Sequence, residues 1–204
     1  MQSLMKDQGG HKMVRFKHRW VLLCLSFVLI PATAMTGGKN RYANGHIDVK
    51  MVKVKGYDTP KAVVKAMINA PPEKVWPLID RCQDYEKTML RTSSAKLLKK
   101  SGSTKVCEIE VDMPFPLDNL KSVTKATHKA GPKEWSRKWT LVRGDYSVNT
   151  GAWILTPFNE AGTQTMVHYE ILAEPHTSIP DWVKEKAQES ALPKLIKHLR
   201  SQVE

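Results

Sequence analysis

Apolar and polar residues alternate along most of the chain from residue 46 onward. In KAVVKAMIN, from Lys61 to Asn69, Ala62, Val64 and Ala66 share one side, an alternation typical of a strand with one buried face. The same kind of alternation predicts further strands in HIDVKMVKV, SSAKLLKKSG, STKVCEIEVDM, LKSVTKATHK, EWSRKWTLV, SVNTGAWILTP and TQTMVHYEILA.

Two breaks in the alternation predict changes of chain direction. A hairpin is expected around Ser101–Ser103, between two of the predicted strands. Pro71 and Pro72 end the strand before them because proline has no N–H for a sheet ladder. Pro72 followed by Glu73 suits the first turn of a helix, so a short helical passage is predicted from there to about Met89.

The last segment has the period of a helix rather than that of a strand. From Pro180 to about Val203 an apolar stripe runs through Val183, Ala187, Ala191, Leu195 and Leu199, with Pro193 expected to kink the helix. Strands, short helices, more strands and a long final helix indicate an α+β domain, with the helix packed on an antiparallel sheet.

The N-terminus has the pattern of a secretory signal peptide. Basic residues precede the apolar run Trp20–Ile30, and Ala32 and Ala34 follow as small residues at a cleavage site. We therefore expect residues 1–34 to be a signal peptide, residues 35–45 a linker and residues 46–204 the folded domain. An uncleaved membrane anchor is the alternative, although the apolar run is shorter than the roughly 20 residues that span a bilayer.

Charge and export together narrow the choice of partner. The formal charge of the chain is +12, and removing residues 1–34 takes away five basic residues and one acidic residue, leaving 27 − 19 = +8. Nucleic acid is not expected as the partner of an exported protein. An anionic membrane surface is the better match, and a solvated lysine-rich surface is the equally acceptable alternative.

Two cysteines remain after cleavage, Cys82 and Cys107. In an oxidising compartment they are candidates for a disulfide. Buried free thiols are the alternative, because small buried cysteines are common. The spacing alone does not choose between the two.

The sequence has no motif that predicts catalysis or metal binding. It lacks a nucleophile elbow, a phosphate loop, the H-E-x-x-H helix and paired C-x-x-C. Of the histidines after residue 45, His128 and His168 lie in the interior of predicted strands, and we interpret both as structural or exposed. No cofactor and no metal are expected.

The predicted sheet has an unusually aromatic face. Strand parity puts Trp135, Arg137 and Trp139 together on one side of EWSRKWTL. Trp153 and Tyr169 belong to the same face on later strands. A packed core explains part of this pattern, but an unpaired buried guanidinium is very costly. Arg137 therefore points outward, reaches an acidic partner or water, or binds the polar end of a ligand.

The residues also resemble a known family. INAPPEKVWPLI, VDMPFPLDN, GAWILTPFNEAGTQTMVHYEI and SIPDWVKEKAQESALPKLIKHLRSQV are similar to bacterial START-like proteins of the START/polyketide-cyclase/Bet v 1 superfamily, from about His46 to Val203. The resemblance implies a helix-grip fold, in which a curved antiparallel sheet wraps a long C-terminal helix and two short helices close one end. The sequence departs from the family's pattern at Asn119, where the resemblance leads us to expect an arginine after Asp118.

The resemblance implies binding or transfer of hydrophobic molecules such as lipids and sterols. We expect an exported, monomeric protein that binds a hydrophobic ligand, with a cyclase/aromatase-type enzyme or a membrane-anchored interaction module with a filled core as alternatives. The residues expected to line the cavity, with Trp182 at its mouth, are Ile109, Val111, Met113, Trp135, Arg137, Trp139, Asn149, Trp153, Tyr169 and Trp182.

Overall fold

The computed structural model of the chain describes residues 41–180, 182–183 and 190–204. The predicted signal peptide lies outside these ranges, as do residues 35–40 of the predicted linker and Ala187 of the predicted helical stripe. Of the linker, residues 41–43 form a helical turn, and Gly45 follows with a left-handed φ of 82°. No helix in the described ranges is long and apolar enough to cross a membrane.

Eight antiparallel strands form one sheet, as the alternation predicted. Their order is β1-β2-β8-β7-β6-β5-β4-β3, so that strands three to eight form a meander returning to the first hairpin. The strands are β1 (Ile47–Val52), β2 (Lys61–Ile68), β3 (Thr92–Ser101), β4 (Thr104–Val111), β5 (Leu120–Lys129), β6 (Trp135–Gly144), β7 (Tyr146–Pro157) and β8 (Thr165–Pro175).

Short helices follow β2 where the proline pair predicted them. Helix α1 (Pro72–Asp80) begins with proline in its first turn and contains Pro77; a 3-10 helix (Cys82–Asp84) and α2 (Tyr85–Thr88) come next. The Thr165 hydroxyl at the start of β8 donates a 2.6 Å hydrogen bond to the Ala70 carbonyl. This bond fixes the step from β2 to α1 against the sheet.

The last helix in the described ranges begins next to a proline. Helix α3 (Leu192–Ser201) has Pro193 in its first turn, and a π-helical turn at residues 190–191 precedes it. The π turn lies directly before the proline, which cannot donate the regular helical hydrogen bond, and the kink predicted at Pro193 stays a prediction. Arg200 ties α3 to the sheet by donating to the Met67 carbonyl at 2.6 Å.

One large hydrophobic core lies between the sheet, α1 and α3. Ile196 and Leu199 of α3 are fully buried in it, together with Val75 and Ile79 of α1. Inward side chains of the sheet complete it. The arrangement is the helix-grip fold, with the C-terminal helix on the concave face of a curved antiparallel sheet.

Candidate functional site

The concave face of the sheet has an aromatic wall. Trp135, Trp139, Trp153 and Tyr169 are all buried there, as strand parity predicted. The ring of Trp153 stacks on that of Tyr169 with centroids 4.0 Å apart, and Trp139 lies 6.2 Å from Tyr169 on the same wall. Large apolar rings arranged in this way suit both a packed core and the wall of an apolar ligand site.

The remaining apolar residues of the predicted site lie nearer the surface. Ile109 and Val111 on β4 and Met113 in the loop after it are half-buried. Trp182, predicted at the mouth, is 48% exposed. The aromatic wall on β6, β7 and β8 is therefore buried inside the protein. The residues of β4 lie at the edge of this wall, nearer to solvent.

Asn149 is engaged inside the protein. Its Oδ1 accepts a 2.9 Å hydrogen bond from the Trp139 indole, and its Nδ2 donates to the Ser122 hydroxyl at 3.4 Å. Both partners belong to the same buried layer. The amide positions the Trp139 ring, and the polar ligand contact expected from the sequence stays a prediction.

Arg137 is buried without a counter-ion in the described part of the chain. It is 3% exposed, which excludes the outward orientation considered from the sequence. Its guanidinium lies 4.8 Å from the Trp139 ring centroid and 5.6 Å from that of Tyr85, distances at which a cation is attracted to an aromatic face. Its Nε has no hydrogen-bond partner, and no acidic side chain of the described ranges pairs with it.

A second polar group lies beside it, at the end of α1. The Asp80 carboxylate contacts the Lys105 ammonium at 2.7 Å and His128 Nδ1 at 2.8 Å. Burial opposes ionisation of this carboxyl, but the hydrogen bonds and charges of Lys105 and His128 outweigh it and lower the pKa of Asp80. Within the described ranges, no group of three or more His, Cys, Asp or Glu side chains could hold a metal ion.

His128 has one nitrogen bonded and one free. Because ionised Asp80 is only an acceptor, Nδ1 carries the proton of that hydrogen bond. Burial, together with the charges of Arg137 and Lys105, lowers the pKa of His128 to about 4. The imidazole is therefore neutral at pH 7. Its Nε2 is a buried acceptor without a partner, and the ring meets Trp76 edge-on at 5.9 Å.

The sequence does not predict this group. The strand position of His128 indicates only a structural or exposed histidine, yet the residue shares the inward parity of Thr124 and Ala126 on β5 and pairs in register with Arg137 on β6. The parity is visible in the sequence. The partners are not, because Asp80 lies 48 positions away in the chain.

Most of the folded part of the chain matches a known family. The family described as polyketide cyclase / dehydrase and lipid transport matches residues 68–200, more than half of the 204 residues. The chain belongs to this family. No curated protein matches the chain.

Solved START structures share the fold. A STAR-related lipid transfer protein from Xanthomonas axonopodis is 22% identical, with a TM-score of 0.65 over 76% of this chain and 92% of that one. Human STARD10 is 15% identical, with a TM-score of 0.65 over 76% of this chain and 68% of that one. Human StAR-related lipid transfer protein 5 is 13% identical, with a TM-score of 0.65 over 78% and 82%. At these identities the likeness is one of fold.

A disulfide fastens the short helices of this START-like domain to the sheet. Cys82 of the 3-10 helix is bonded to Cys107 on β4, with Cα atoms 6.4 Å apart. Tyr85, in the next turn, is buried beneath Arg137 and donates its hydroxyl to the Ile79 carbonyl. The bond thus holds in place the segment that carries both Asp80 and Tyr85.

Asn119, where the family resemblance led us to expect arginine, has a structural role in the loop between β4 and β5. Its Nδ2 donates to Glu110 at 3.2 Å and to Asp112 at 3.3 Å, while its Oδ1 accepts from the Met113 amide at 3.2 Å. The side chain therefore closes the loop on itself, away from the concave wall.

A groove of about 710 Å³ opens on the opposite, convex face of the START-like sheet. Of the predicted ligand-binding residues only Trp139 reaches it, and its lining includes Lys61, Lys125 and Lys138. An open groove edged by lysines is poorly suited to burying an apolar ligand, which sites of this kind enclose almost completely. We therefore take the concave face as the candidate site.

Proposed function

We propose that this protein is exported and binds a hydrophobic ligand, a lipid or similar molecule, between the concave face of its sheet and its C-terminal helix, and that it carries this ligand between membranes. The observation that carries the proposal is Arg137, a buried cation on an aromatic wall that has no counter-ion among the described residues. Membership in a family that includes lipid transport supports hydrophobic binding.

The energetics of Arg137 favour a ligand over a purely structural core. An isolated charge taken out of water costs several kcal/mol unless it is paired. Contacts with two aromatic rings return only part of that cost, on the order of 1–2 kcal/mol. In a core that serves stability alone, this buried cation would only lower the free energy of unfolding. A ligand with a polar end compensates it only when bound.

Both the N-terminal sequence and the disulfide support export. Basic residues, a short apolar run and small residues precede Met35, which we propose as the first residue of the mature chain. The Cys82–Cys107 disulfide suits an oxidising compartment. We further propose that the mature protein is a monomer and that its positive charge favours anionic membrane surfaces.

The test is to purify the protein from its native compartment and analyse organic extracts by mass spectrometry. The proposal predicts about one molecule of lipid, or of a similar compound, for each protein molecule. The intact mass of the protein should be that of a chain that begins at Met35. An empty protein that takes up no lipid from vesicles would point to the interaction module instead, for which the tight Trp153–Tyr169 stack is the favouring observation.

An enzyme of the cyclase type is the second candidate, and His128 favours it. A neutral imidazole held by Asp80 with a free Nε2 is the usual arrangement of a general base. Turnover of a poly-β-keto substrate that disappears in His128→Asn would establish this function. Binding without turnover would leave the carrier.

A further inference from the structure

Three buried polar atoms on one pair of strands in the concave face have no hydrogen-bond partner in the described ranges: Thr124 Oγ1 and His128 Nε2 on β5, and Arg137 Nε on β6. His128 on β5 and Arg137 on β6 are directly paired in register, so their side chains leave the sheet side by side. His128 Nε2 and Arg137 Nε are both buried and have no hydrogen-bond partner. Buried polar atoms are satisfied in the great majority of cases, so these neighbouring exceptions mark a place where a further polar group can bind.

The charges around these atoms do not cancel. Among the described residues, the ionised side chains that act on His128 are Asp80 from α1, Lys105 from β4 and Arg137 from β6. One carboxylate faces two cations, which leaves the group with a net charge of +1. Two buried tyrosines, Tyr85 and Tyr169, interact electrostatically with Arg137. Neither supplies a negative charge, because burial raises the pKa of both hydroxyls.

We infer that the polar end of the bound molecule is a carboxylate that accepts hydrogen bonds from Arg137. On binding, His128 takes up a proton from solvent, and its Nε2–H donates a further hydrogen bond to the carboxylate. This inference rests on the proposed function, since it specifies the ligand of the same site. No covalent bond changes. The ligand class is a long-chain carboxylic acid, with its apolar chain along the aromatic wall.

A carboxylate fits these atoms better than an alcohol does. The guanidinium has five N–H donors, and its buried Nε–H donates to no described residue, whereas a carboxylate offers about four lone-pair sites. A carboxylate also neutralises the excess positive charge, which removes the main cause, after burial, that keeps His128 unprotonated. A hydroxyl satisfies both free atoms once each, but it leaves the guanidinium charge uncompensated.

Displacement of the neutral dye N-phenyl-1-naphthylamine distinguishes the two ligand classes. We expect dodecanoate to displace the dye at pH 7 with an affinity about 10-fold or more above that of dodecan-1-ol, the size of a charge-assisted hydrogen bond. In Arg137→Gln the acid should lose this advantage over the alcohol. Lys138→Gln is the matched control, since it removes the same charge from the next, exposed position of β6.

Proton uptake tests the role of His128. Calorimetric titration with dodecanoate at about pH 6, in buffers of different ionisation enthalpy, should show net proton uptake by the protein. His128→Asn keeps a donor for Asp80 but has no atom in place of Nε2, so the uptake should vanish. Circular dichroism confirms that each variant is folded.

The outcomes separate this inference from the function on which it rests. Equal or tighter binding of the alcohol, or an acid preference that survives Arg137→Gln, overturns the carboxylate assignment while the carrier function stands. If neither the dye nor any lipid binds, both fail together. Acid binding without proton uptake removes His128 from the site and contradicts the assignment as stated.

Discussion

The indole of Trp139 lies directly against Gly151 on the neighbouring strand. A Cβ atom added at Gly151 would sit 2.5 Å from the indole Cζ2 and 2.3 Å from the Glu170 carbonyl oxygen, both far inside contact distance. The two residues are paired in register on β6 and β7. Glycine is thus required here by space, and it allows the Trp139 ring to lie flat on the concave wall.

Gly151→Ala should destabilise the protein by about 1–3 kcal/mol, because the added methyl group forces the indole and a backbone carbonyl to shift. Urea denaturation measures the change. Gly131→Ala is the matched control, since a Cβ there would meet only the Glu134 carbonyl at an ordinary 3.7 Å. Equal midpoints for the two variants would contradict the packing described for Trp139.

The hydrogen bond between Trp139 and Asn149 should be measurable as a coupling. Asn149→Ala leaves the buried indole N–H without its acceptor, which costs about 1–3 kcal/mol. In Trp139→Phe no N–H remains, so the same change at Asn149 should cost less. A double-mutant cycle by urea denaturation is expected to give a coupling of about 0.5 kcal/mol or more. Additive effects would contradict a stabilising hydrogen bond between Trp139 and Asn149.

The sheet was predictable because its signal is local. A strand with one buried face repeats every two residues, and this period by itself puts Trp135, Arg137 and Trp139 on one face. The start of α1 was equally local, since Pro72 lacks the N–H that a first helical turn leaves unused. In both cases the information lies within a few neighbouring residues.

The polar group around His128 was not predictable in this way. Asp80, Lys105 and His128 come from three separate elements, and only the folded chain brings them together. The engagement of Asn149 with Trp139 likewise depends on the register between β6 and β7. Strand parity gives the face a side chain occupies, but its partners depend on tertiary packing.

The disulfide should contribute about 3 kcal/mol to stability in the chain-entropy model, since Cys82 and Cys107 are separated by 25 positions. Replacing both with serine in the mature protein is expected to lower the free energy of unfolding by this amount. The bond itself is checked by thiol titration of the unfolded, unreduced protein. Two free thiols, or equal stability with and without a reductant, would count against it.

His128 should make stability fall as the pH falls. Its folded-state pKa of about 4 lies below the ordinary 6.5, so the unfolded chain binds the proton more readily. Its contribution is therefore complete above about pH 6.5 and is lost as the pH falls from there to about 4, by a total of about 3 kcal/mol. The pKa of Asp80 is lowered from the ordinary value of 3.8, so this carboxyl changes the pH dependence of stability only below about pH 4, outside this window.

Urea denaturation of the ligand-free protein between about pH 4 and pH 7.5 measures this loss. Asn in place of His128 keeps a side-chain donor for the Asp80 carboxylate and cannot titrate, so the difference in stability between the native protein and His128→Asn isolates the histidine. That difference should shrink or reverse in favour of the variant as the pH falls. His176→Asn is the matched control, because His176 is exposed and its ring lies outside this group. A constant difference for His128→Asn across the range would mean that the imidazole stays accessible to protons in the folded state, and the buried, neutral His128 described here would be wrong.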